Sequence, residues 1–201
     1  MNPVNTKPYT LPPDATWLSK LSSLNYISYS ILTLIPVTGC SSGIGRAFAT
    51  LIASKPSLRL IATARQPSSL SYLPSTPNIL KLALDVTSPT SVDAAFTAAK
   101  DYWGDDFHLD VVVNNAGYSL SGDTESATEE QMHDEIETLF FGTVRVTMRA
   151  VGVMREDQQD GKWRGGVIFN VSSLAGLIGG FLFPCYSFKI GFAELSRDFK
   201  C

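Results

Sequence analysis

A phenol and an ammonium group lie close together in the stretch "PCYSFKIGF", where Lys189 follows Tyr186 by three positions. Residues at i and i+3 are neighbours on one face of a helix, so a helix here would bring the two side chains together. A free tyrosine has a pKa of about 10, and an adjacent cation favours its ionised form. The pair is therefore a candidate for proton transfer.

A glycine-rich segment, "TGCSSGIG" (Thr38–Gly45), joins an apolar, strand-like run to a stretch with an apolar stripe at helical spacing. Glycines at Gly39, Gly43 and Gly45 would permit a sharp exit from the strand, close approach of a pyrophosphate, and tight packing of the helix. Free N–H groups at a helix N-terminus favour bound anions. The segment predicts a dinucleotide-phosphate site, and an ordinary tight turn is the alternative interpretation.

The elements that must position these residues alternate along the chain. Helices are expected over Ser91–Trp103, capped by Ser91 or Thr90, and over Glu129–Arg155. Runs rich in Val, Ile and Leu predict buried strands at "ILTLIPVT", "LRLIATA", "NILKLALDV", "LDVVV" and "GGVIFN". This order indicates an α/β fold whose parallel sheet is covered on both faces. Its ligand crevice lies at the carboxyl ends of the strands, where the candidate residues fall.

Composition narrows the function classes. The 201 residues are 44% apolar and 17% charged, as in a globular domain, and the net charge of −3 argues against a nucleic-acid partner. The three cysteines include no C-x-x-C pair, which favours a reduced, cytoplasmic setting. His108 and His133 have no Cys or His neighbours at ligand spacing, so no metal site is predicted.

The first 36 residues are interpreted as a loose leader, and residues 37–201 as the nucleotide-binding domain. No charged residue occurs from Leu21 to Gly45, but the apolar core of this run is shorter than the roughly 20 residues of a membrane-spanning helix. Weak membrane association is kept as an alternative. Pro36 falls in the first expected strand, where its missing N–H removes a ladder bond. We interpret Ser19–Pro36 as an insertion, such as translated intron sequence, which sequencing of the transcript would test.

Four segments occur in a fixed order: "TGCSSGIGRA", "LDVT", "NNAG" and "NVSSLAG". In that order and at these spacings they resemble the short-chain dehydrogenase/reductase family, from about Val37 to the end of the chain. The resemblance implies a Rossmann-type doubly wound parallel sheet and a nicotinamide cofactor. The family continues past the helix that carries Tyr186, so we expect a truncated member whose fold is incomplete at the C-terminus.

The resemblance also implies cofactor contacts: Asp85 and Val86 with the adenine, and residues 115–117 near the adenosine ribose. Arg65 ends the second strand, where an NAD-selective site commonly has a carboxylate and an arginine can accommodate a 2′-phosphate. NADP(H) is therefore favoured over NAD(H), and a solvated surface arginine is the alternative. The cofactor-binding residues expected are Gly39, Ser41, Ser42, Gly43, Ile44, Gly45, Arg65, Asp85, Val86, Asn115, Ala116, Gly117, Tyr186 and Lys189.

The same resemblance assigns catalytic roles to Ser173, Tyr186 and Lys189. The serine would polarise a carbonyl, the tyrosine would transfer the proton, and the lysine would lower the pKa of the tyrosine and hold the nicotinamide ribose. In the family the lysine lies four positions after the tyrosine, and the change to three rotates it by about 100° around a helix. Leu139 stands where the family often has an asparagine that supports a proton relay.

These features favour an NADP(H)-dependent oxidoreductase that acts on a carbonyl or secondary alcohol of a small or lipid-like metabolite. One alternative is a catalytically impaired relative that only binds nucleotide, or the product of a mis-predicted gene. Another is a membrane-associated lipid reductase. The expected partner is the small-molecule substrate. For the amphipathic stretch "DEIETLFFGTVRVTMRAV", the resemblance implies a dimer face with a second copy of the chain, and core packing against the sheet explains the stretch equally well.

Overall fold

The computed structural model describes residues 33–120, 124–156, 158–159, 162–163 and 166–173. The strands are β1 (Thr33–Val37), β2 (Leu58–Ala64), β3 (Ile79–Ala83), β4 (Val111–Asn114), β5 (Gln158–Gln159), β6 (Lys162–Trp163) and β7 (Val167–Asn170). The α-helices are α1 (Gly43–Ala53), α2 (Pro89–Trp103), α3 (Glu129–Ile136) and α4 (Thr143–Glu156), with a π-helical segment (Glu137–Gly142) joining the last two. Short 3₁₀ helices cover Pro67–Leu70, Gly104–Asp106 and Thr124–Ser126.

The main sheet has five parallel strands in the order β3-β2-β1-β4-β7, while β5 and β6 form a separate antiparallel pair. The chain moves outward from β1 to β3 and then returns to place β4 on the other side of β1. The strand order therefore reverses between β1 and β4, which is where a doubly wound sheet opens a crevice at its carboxyl edge. The α/β fold with a parallel sheet, expected from the sequence, is confirmed.

Two apolar cores cover the two faces of this sheet, because successive side chains of a strand point to opposite faces. On one face, Leu34, Ile61 and Val112 cluster with buried residues of α2 and α4, namely Val92, Ala95, Phe96, Ala99, Val146, Ala150 and Met154. On the other face, Ile35 and Leu60 cluster with residues of α1 and of the segment after β2, including Ala49, Ile52, Leu70 and Leu73.

Pro36 is buried within β1, so residues 33–36, which the sequence-based division assigns to the leader, belong to the sheet. The N–H of Thr38 donates to the carbonyl of Val113 at 3.0 Å. Two residues earlier the corresponding nitrogen is that of Pro36, which carries no hydrogen. The ladder between β1 and β4 is accordingly reduced to the bridge at Val37. Burial of the apolar side chains on either side of the proline outweighs this missing bond.

The opposite end of the same seam is joined by a backbone bond, from the N–H of Asp110 to the carbonyl of Leu34 at 3.4 Å, and also through a side chain. A carboxylate oxygen of Asp110 accepts the N–H of Leu34 at 2.8 Å, and the same oxygen lies 3.0 Å from Nε2 of His108. The imidazole is buried, with 3% exposure. Strands β1 and β4 are thus bonded at both ends, while the nitrogen of Pro36 between those ends donates no bond.

Two helix boundaries differ from the sequence-based expectation. Helix α2 begins at Pro89, and its N-cap is Ser88, whose hydroxyl oxygen accepts the N–H of Ser91 at 3.2 Å. Caps at Ser91 or Thr90 were the wrong expectation, because proline is favoured in the first turn, where its missing N–H is not needed. The long helix expected from Glu129 is interrupted by the π-helical segment.

Candidate functional site

The glycine loop connects β1 to α1 at the carboxyl edge of the sheet. Gly39 and Gly43 have positive φ angles of +71° and +54°, which favour glycine because other residues are strained there. A Cβ at Gly45 would overlap the carbonyl oxygen of Gly39 and the side-chain amide of Asn115, whereas a Cβ at Gly43 would meet nothing within 4 Å. Gly45 therefore closes the loop onto the sheet, and Gly43 leaves its outer side open.

The side chain of Asn115, the residue just after β4, holds the backbone of this loop. The Asn115 side-chain amide donates to the carbonyls of Thr38 and Gly39 at 2.9 and 3.2 Å. In return, the Thr38 hydroxyl oxygen accepts the N–H groups of Asn115 and Ala116, each at 2.9 Å. This reciprocal set fixes the loop against the end of β4 before any ligand binds.

Cys40 is buried inside the loop. Its N–H donates to the carbonyl of Thr63 at 2.8 Å, and its thiol donates to the carbonyl of Val37 at 3.2 Å. Burial raises the pKa of the Cys40 thiol from 9.0 to about 11, although the hydrogen bond with Thr63 acts in the opposite direction. The side chain therefore stays a neutral thiol that packs in the core, because reactivity requires the thiolate.

The N-terminus of α1 is open for an anion. Ser42 is the N-cap, yet its side chain makes no capping bond, and the first turn carries no acidic residue. The first N–H groups of a helix have no intrahelical partner. Within the described ranges, the N–H groups of Ser42, Gly43 and Ile44 donate to no backbone acceptor. Together with the positive end of the helix dipole, these donors suit a phosphate group.

A cleft of about 580 Å³ runs along the carboxyl edge, next to this helix end. It is wide enough for a nucleotide-sized ligand, for which pockets of about 300–1,000 Å³ are usual. Its lining includes the predicted residues Gly39, Ser41, Ser42, Gly43, Ile44, Arg65, Asp85, Val86, Asn115, Ala116, Gly117 and Ser173. The fold thus brings these predicted positions to one cleft, while Tyr186 and Lys189 lie outside the described residues.

Arg65 and Asp85 occupy the part of the cleft formed by β2 and by the end of β3. Arg65 is exposed, follows the last residue of β2, and forms no ion pair with any residue that the structure describes. Asp85 is held by its neighbours: one carboxylate oxygen accepts the N–H and the hydroxyl of Thr87 at 3.0 and 2.7 Å. The Ser91 hydroxyl oxygen accepts the N–H of Asp85 at 2.9 Å.

The π-helical segment lines part of the cleft through Thr138 and Leu139. Leu139 lines this wall with 1% exposure, and its carbonyl accepts the hydroxyl of Thr143 at 2.8 Å. A Cβ at Gly142 would come within 2.6 Å of the Val86 side chain, so the segment packs directly against the wall proposed for the adenine. The position where the resemblance implies a polar relay residue is therefore apolar and closely packed.

Several cleft residues escaped the sequence analysis, namely Thr87, Tyr118, Thr138, Val171 and Ser172. Thr87 and Ser172 belong to the segments "LDVT" and "NVSSLAG", so the sequence could have indicated them as cleft residues. Tyr118 directly follows the segment "NNAG", whereas Thr138 belongs to none of the four segments. Only the folded topology brings them to the same cleft.

Comparison with known proteins identifies the family. Residues 33–200 match the family model described as short chain dehydrogenase. The chain belongs to the short-chain dehydrogenase family. Membership implies an oxidoreductase with a nicotinamide cofactor, in agreement with a glycine loop at the carboxyl edge of a parallel sheet.

Individual short-chain dehydrogenases and related oxidoreductases match much of the chain. Oxidoreductase calM from Penicillium decumbens is 60% identical over 189 residues, which are 94% of this chain and 54% of the relative. A 3-ketodihydrosphingosine reductase from Bacteroides thetaiotaomicron is 33% identical over 146 residues, 73% of this chain and 49% of that protein. The crystal structure of a short-chain dehydrogenase from Streptomyces avermitilis gives a TM-score of 0.68 at 31% identity, covering 82% of this chain and 58% of the other.

The chain spans about half the length of the curated relatives it matches. The comparisons therefore establish the family and the fold. In the part of the chain that the structure describes, none of the helices combines the length and apolar character needed to span a membrane.

Proposed function

We propose that this protein is an NADP(H)-dependent oxidoreductase acting on a carbonyl or secondary alcohol of a small or lipid-like metabolite. The observation that carries the proposal is that the exposed residue Arg65 and the open N-terminus of α1 line one cleft. The bound cofactor would supply or accept the hydride. The residues of this chain would bind and orient it.

The diphosphate fits the glycine loop. Its charge would lie against the free N–H groups of Ser42, Gly43 and Ile44, where a bound anion is stabilised by the helix dipole. The open space beside Gly43 leaves room for this approach, since a Cβ there would meet no protein atom within 4 Å. The unused hydroxyl of Ser42 supplies one more donor.

The choice of NADP(H) over NAD(H) rests on charge. No Asp or Glu occurs between Ser54 and Asp85, so the end of β2 offers no carboxylate for a ribose 2′-hydroxyl. Arg65 is instead free to pair with a 2′-phosphate, to which guanidinium groups bind in a bidentate manner. Asp85 already accepts two bonds from Thr87, which supports its placement beside the adenine rather than the ribose.

The substrate end supports carbonyl chemistry on an apolar molecule. Ser173 follows β7 and lines the cleft, where its hydroxyl would donate to a carbonyl oxygen. Val171 and Tyr118 add apolar surface to the same cleft. The Bacteroides relative is a 3-ketodihydrosphingosine reductase, which is consistent with a lipid-like ketone as the substrate. Proton transfer by Tyr186 with Lys189 remains a prediction from the sequence.

Cofactor binding and its specificity test the proposal together. NADPH is expected to raise the unfolding temperature, and a ligand at 100 times its Kd stabilises by about 2.7 kcal/mol. Replacing Arg65 with Gln should weaken NADPH binding by roughly 10- to 100-fold, because hydrogen bonds to charged groups contribute about 1.5–3 kcal/mol. NADH binding should change little. Exposed Arg155 provides the matched control: Arg155→Gln should leave both affinities unaltered.

A nucleotide-binding protein without turnover is the second candidate. It is favoured by Leu139 at the relay position and by the spacing of Tyr186 and Lys189. Oxidation of NADPH in the presence of a panel of aliphatic and steroidal ketones distinguishes the two candidates. Tight NADPH binding with no oxidation of the cofactor would favour the binding protein, and failure to bind either nicotinamide cofactor would exclude both.

A further inference from the structure

The segment after β2 turns back toward the glycine loop and places one tyrosine against it. Tyr72 is half-buried, and its hydroxyl donates to the carbonyl oxygen of Cys40 at 2.8 Å. The guanidinium of Arg46 lies over the same ring, 4.3 Å from the ring centroid. Tyr72 therefore contacts the loop before its open N–H groups and the helix just after them, although it does not line the cleft.

The hydrogen bond from Tyr72 completes the set of bonds at Cys40. The N–H of Cys40 already donates to Thr63 and its thiol to Val37, so the carbonyl is the remaining polar group of the residue. With all three groups engaged, Cys40 has little freedom to rotate within the loop. The next residue, Ser41, is exposed and lines the cleft.

The planar peptide between Cys40 and Ser41 links the hydrogen bond at the Cys40 carbonyl to the orientation of the Ser41 N–H. The carbonyl of Cys40 and the N–H of Ser41 belong to one planar trans peptide unit, so the two groups point in opposite directions. A bond that draws the carbonyl toward Tyr72 therefore turns the N–H of Ser41 away from Tyr72. An N–H group that already points toward the ligand lowers the entropy that the loop loses when the ligand binds.

We propose that Tyr72 is a positioning residue for the diphosphate loop, acting through the Cys40–Ser41 peptide to aim the Ser41 N–H at the phosphates. The inference rests on the proposed function and adds to it a residue outside the glycine motif. Burial, followed by the electrostatic effect of Cys40, raises the pKa of the Tyr72 phenol above 10.0, so the hydroxyl is present as a donor at neutral pH.

Removal of one hydroxyl tests the proposal. Tyr72→Phe keeps the ring beneath Arg46 and deletes only the bond to Cys40. We expect the affinity for ADP, which carries the diphosphate without the nicotinamide, to fall about fivefold, as for the loss of one neutral hydrogen bond. NADPH and NADH should weaken by the same factor, because the lost constraint acts at the diphosphate. In the unliganded chain the amide resonance of Ser41 should shift.

Tyr102→Phe is the matched control. Its hydroxyl donates to the Pro77 carbonyl at 3.4 Å, on a ring that is 48% exposed. This variant should leave ADP affinity and the Ser41 amide unchanged. Unaltered ADP affinity in Tyr72→Phe, an unshifted Ser41 amide, or equal effects in both variants would overturn the inference, as would absence of ADP binding by the unsubstituted chain. Binding of ADP without either nicotinamide cofactor would instead reject the proposed function, while the comparison of the two phenylalanine variants would still decide the role of Tyr72.

Discussion

The two ends of the cleft follow the family pattern to different degrees. At the phosphate end, the loop Thr38–Gly45 keeps its three glycines, and bonds from β2, β4 and the segment after β2 hold its backbone. At the end proposed for the substrate, Leu139 stands where the family often has an asparagine. In the sequence, Lys189 follows Tyr186 by three positions instead of the four of the family pattern. Binding a dinucleotide and transferring a hydride therefore make separate demands on the sequence. The first depends on one short backbone segment, and the second on side chains from several distant elements.

Gly45→Ala should have the largest effect, because it would distort the glycine loop and weaken the binding of NADPH. Its Cβ would overlap the Gly39 carbonyl and the Asn115 amide, and a backbone group cannot move aside without displacing the loop. We expect a loss of about 1–3 kcal/mol in the free energy of unfolding, as for other overpacked sites. NADPH affinity should fall by at least about 100-fold. Urea denaturation and fluorescence titration would measure the two effects.

Gly152→Ala is the control for that substitution. Gly152 lies within α4, and a Cβ there would meet nothing within 4 Å. Alanine is favoured over glycine in a helix by up to about 1 kcal/mol, so this variant should be slightly more stable and bind NADPH normally. Similar losses at both glycines would show that the phosphate end is not specially constrained.

Lengthening the spacing between Tyr186 and Lys189 to the four positions of the family pattern should increase the rate of turnover. One alanine inserted between Phe188 and Lys189 restores the spacing of four and should raise kcat at least about tenfold, since general acid–base catalysis contributes roughly 10²–10⁴. An alanine inserted after Lys189 lengthens the chain equally without changing the spacing, and should not raise kcat. Steady-state rates with a ketone that the chain reduces would test this. A variant with restored spacing that is no faster would contradict the assigned catalytic pair.

An effect on stability without a substitution is expected from alkaline pH at the glycine loop. The thiol of Cys40 has a pKa near 9.0 when exposed and about 11 when folded, so its stabilising contribution is complete below pH 9 and is lost between pH 9 and 11. In that range the free energy of unfolding should fall by about 1.4 kcal/mol per pH unit on account of this group. The slope should be reduced in Cys40→Ala. It should be retained in Leu139→Met at the substrate end, and equal slopes in all three proteins would refute the assignment.

The sheet and the glycine loop could be predicted because their signals are local. "VVVN" is apolar enough to be a buried strand wherever it is placed, and the three glycines of the loop lie within seven residues. Backbone geometry of this kind is encoded by nearby residue types. The same holds for the polar residues at the strand ends, since parallel strands bring their carboxyl ends to one edge.

The remaining features depend on long-range contacts that spacing does not reveal. Asn115 supports Thr38 from 77 positions away, and Tyr72 reaches Cys40 from 32 positions away. The π-helical segment that contains Leu139 ends at Gly142, which packs closely against Val86 of a distant segment. Such contacts require the topology first, because no local pattern distinguishes a tyrosine that supports a loop from one on the surface.

The seam between β1 and β4 has a consequence for the cofactor crevice. Pro36 cannot donate a hydrogen bond to β4. The N–H of Leu34 instead donates to the carboxylate of Asp110 at one edge of the sheet, and the N–H of Thr38 donates to Val113 at the carboxyl edge. Thr38 also anchors Asn115 and Ala116. Strand β1 therefore connects the position of the glycine loop, at the carboxyl edge of the sheet, to the side chain of Asp110 at the opposite edge.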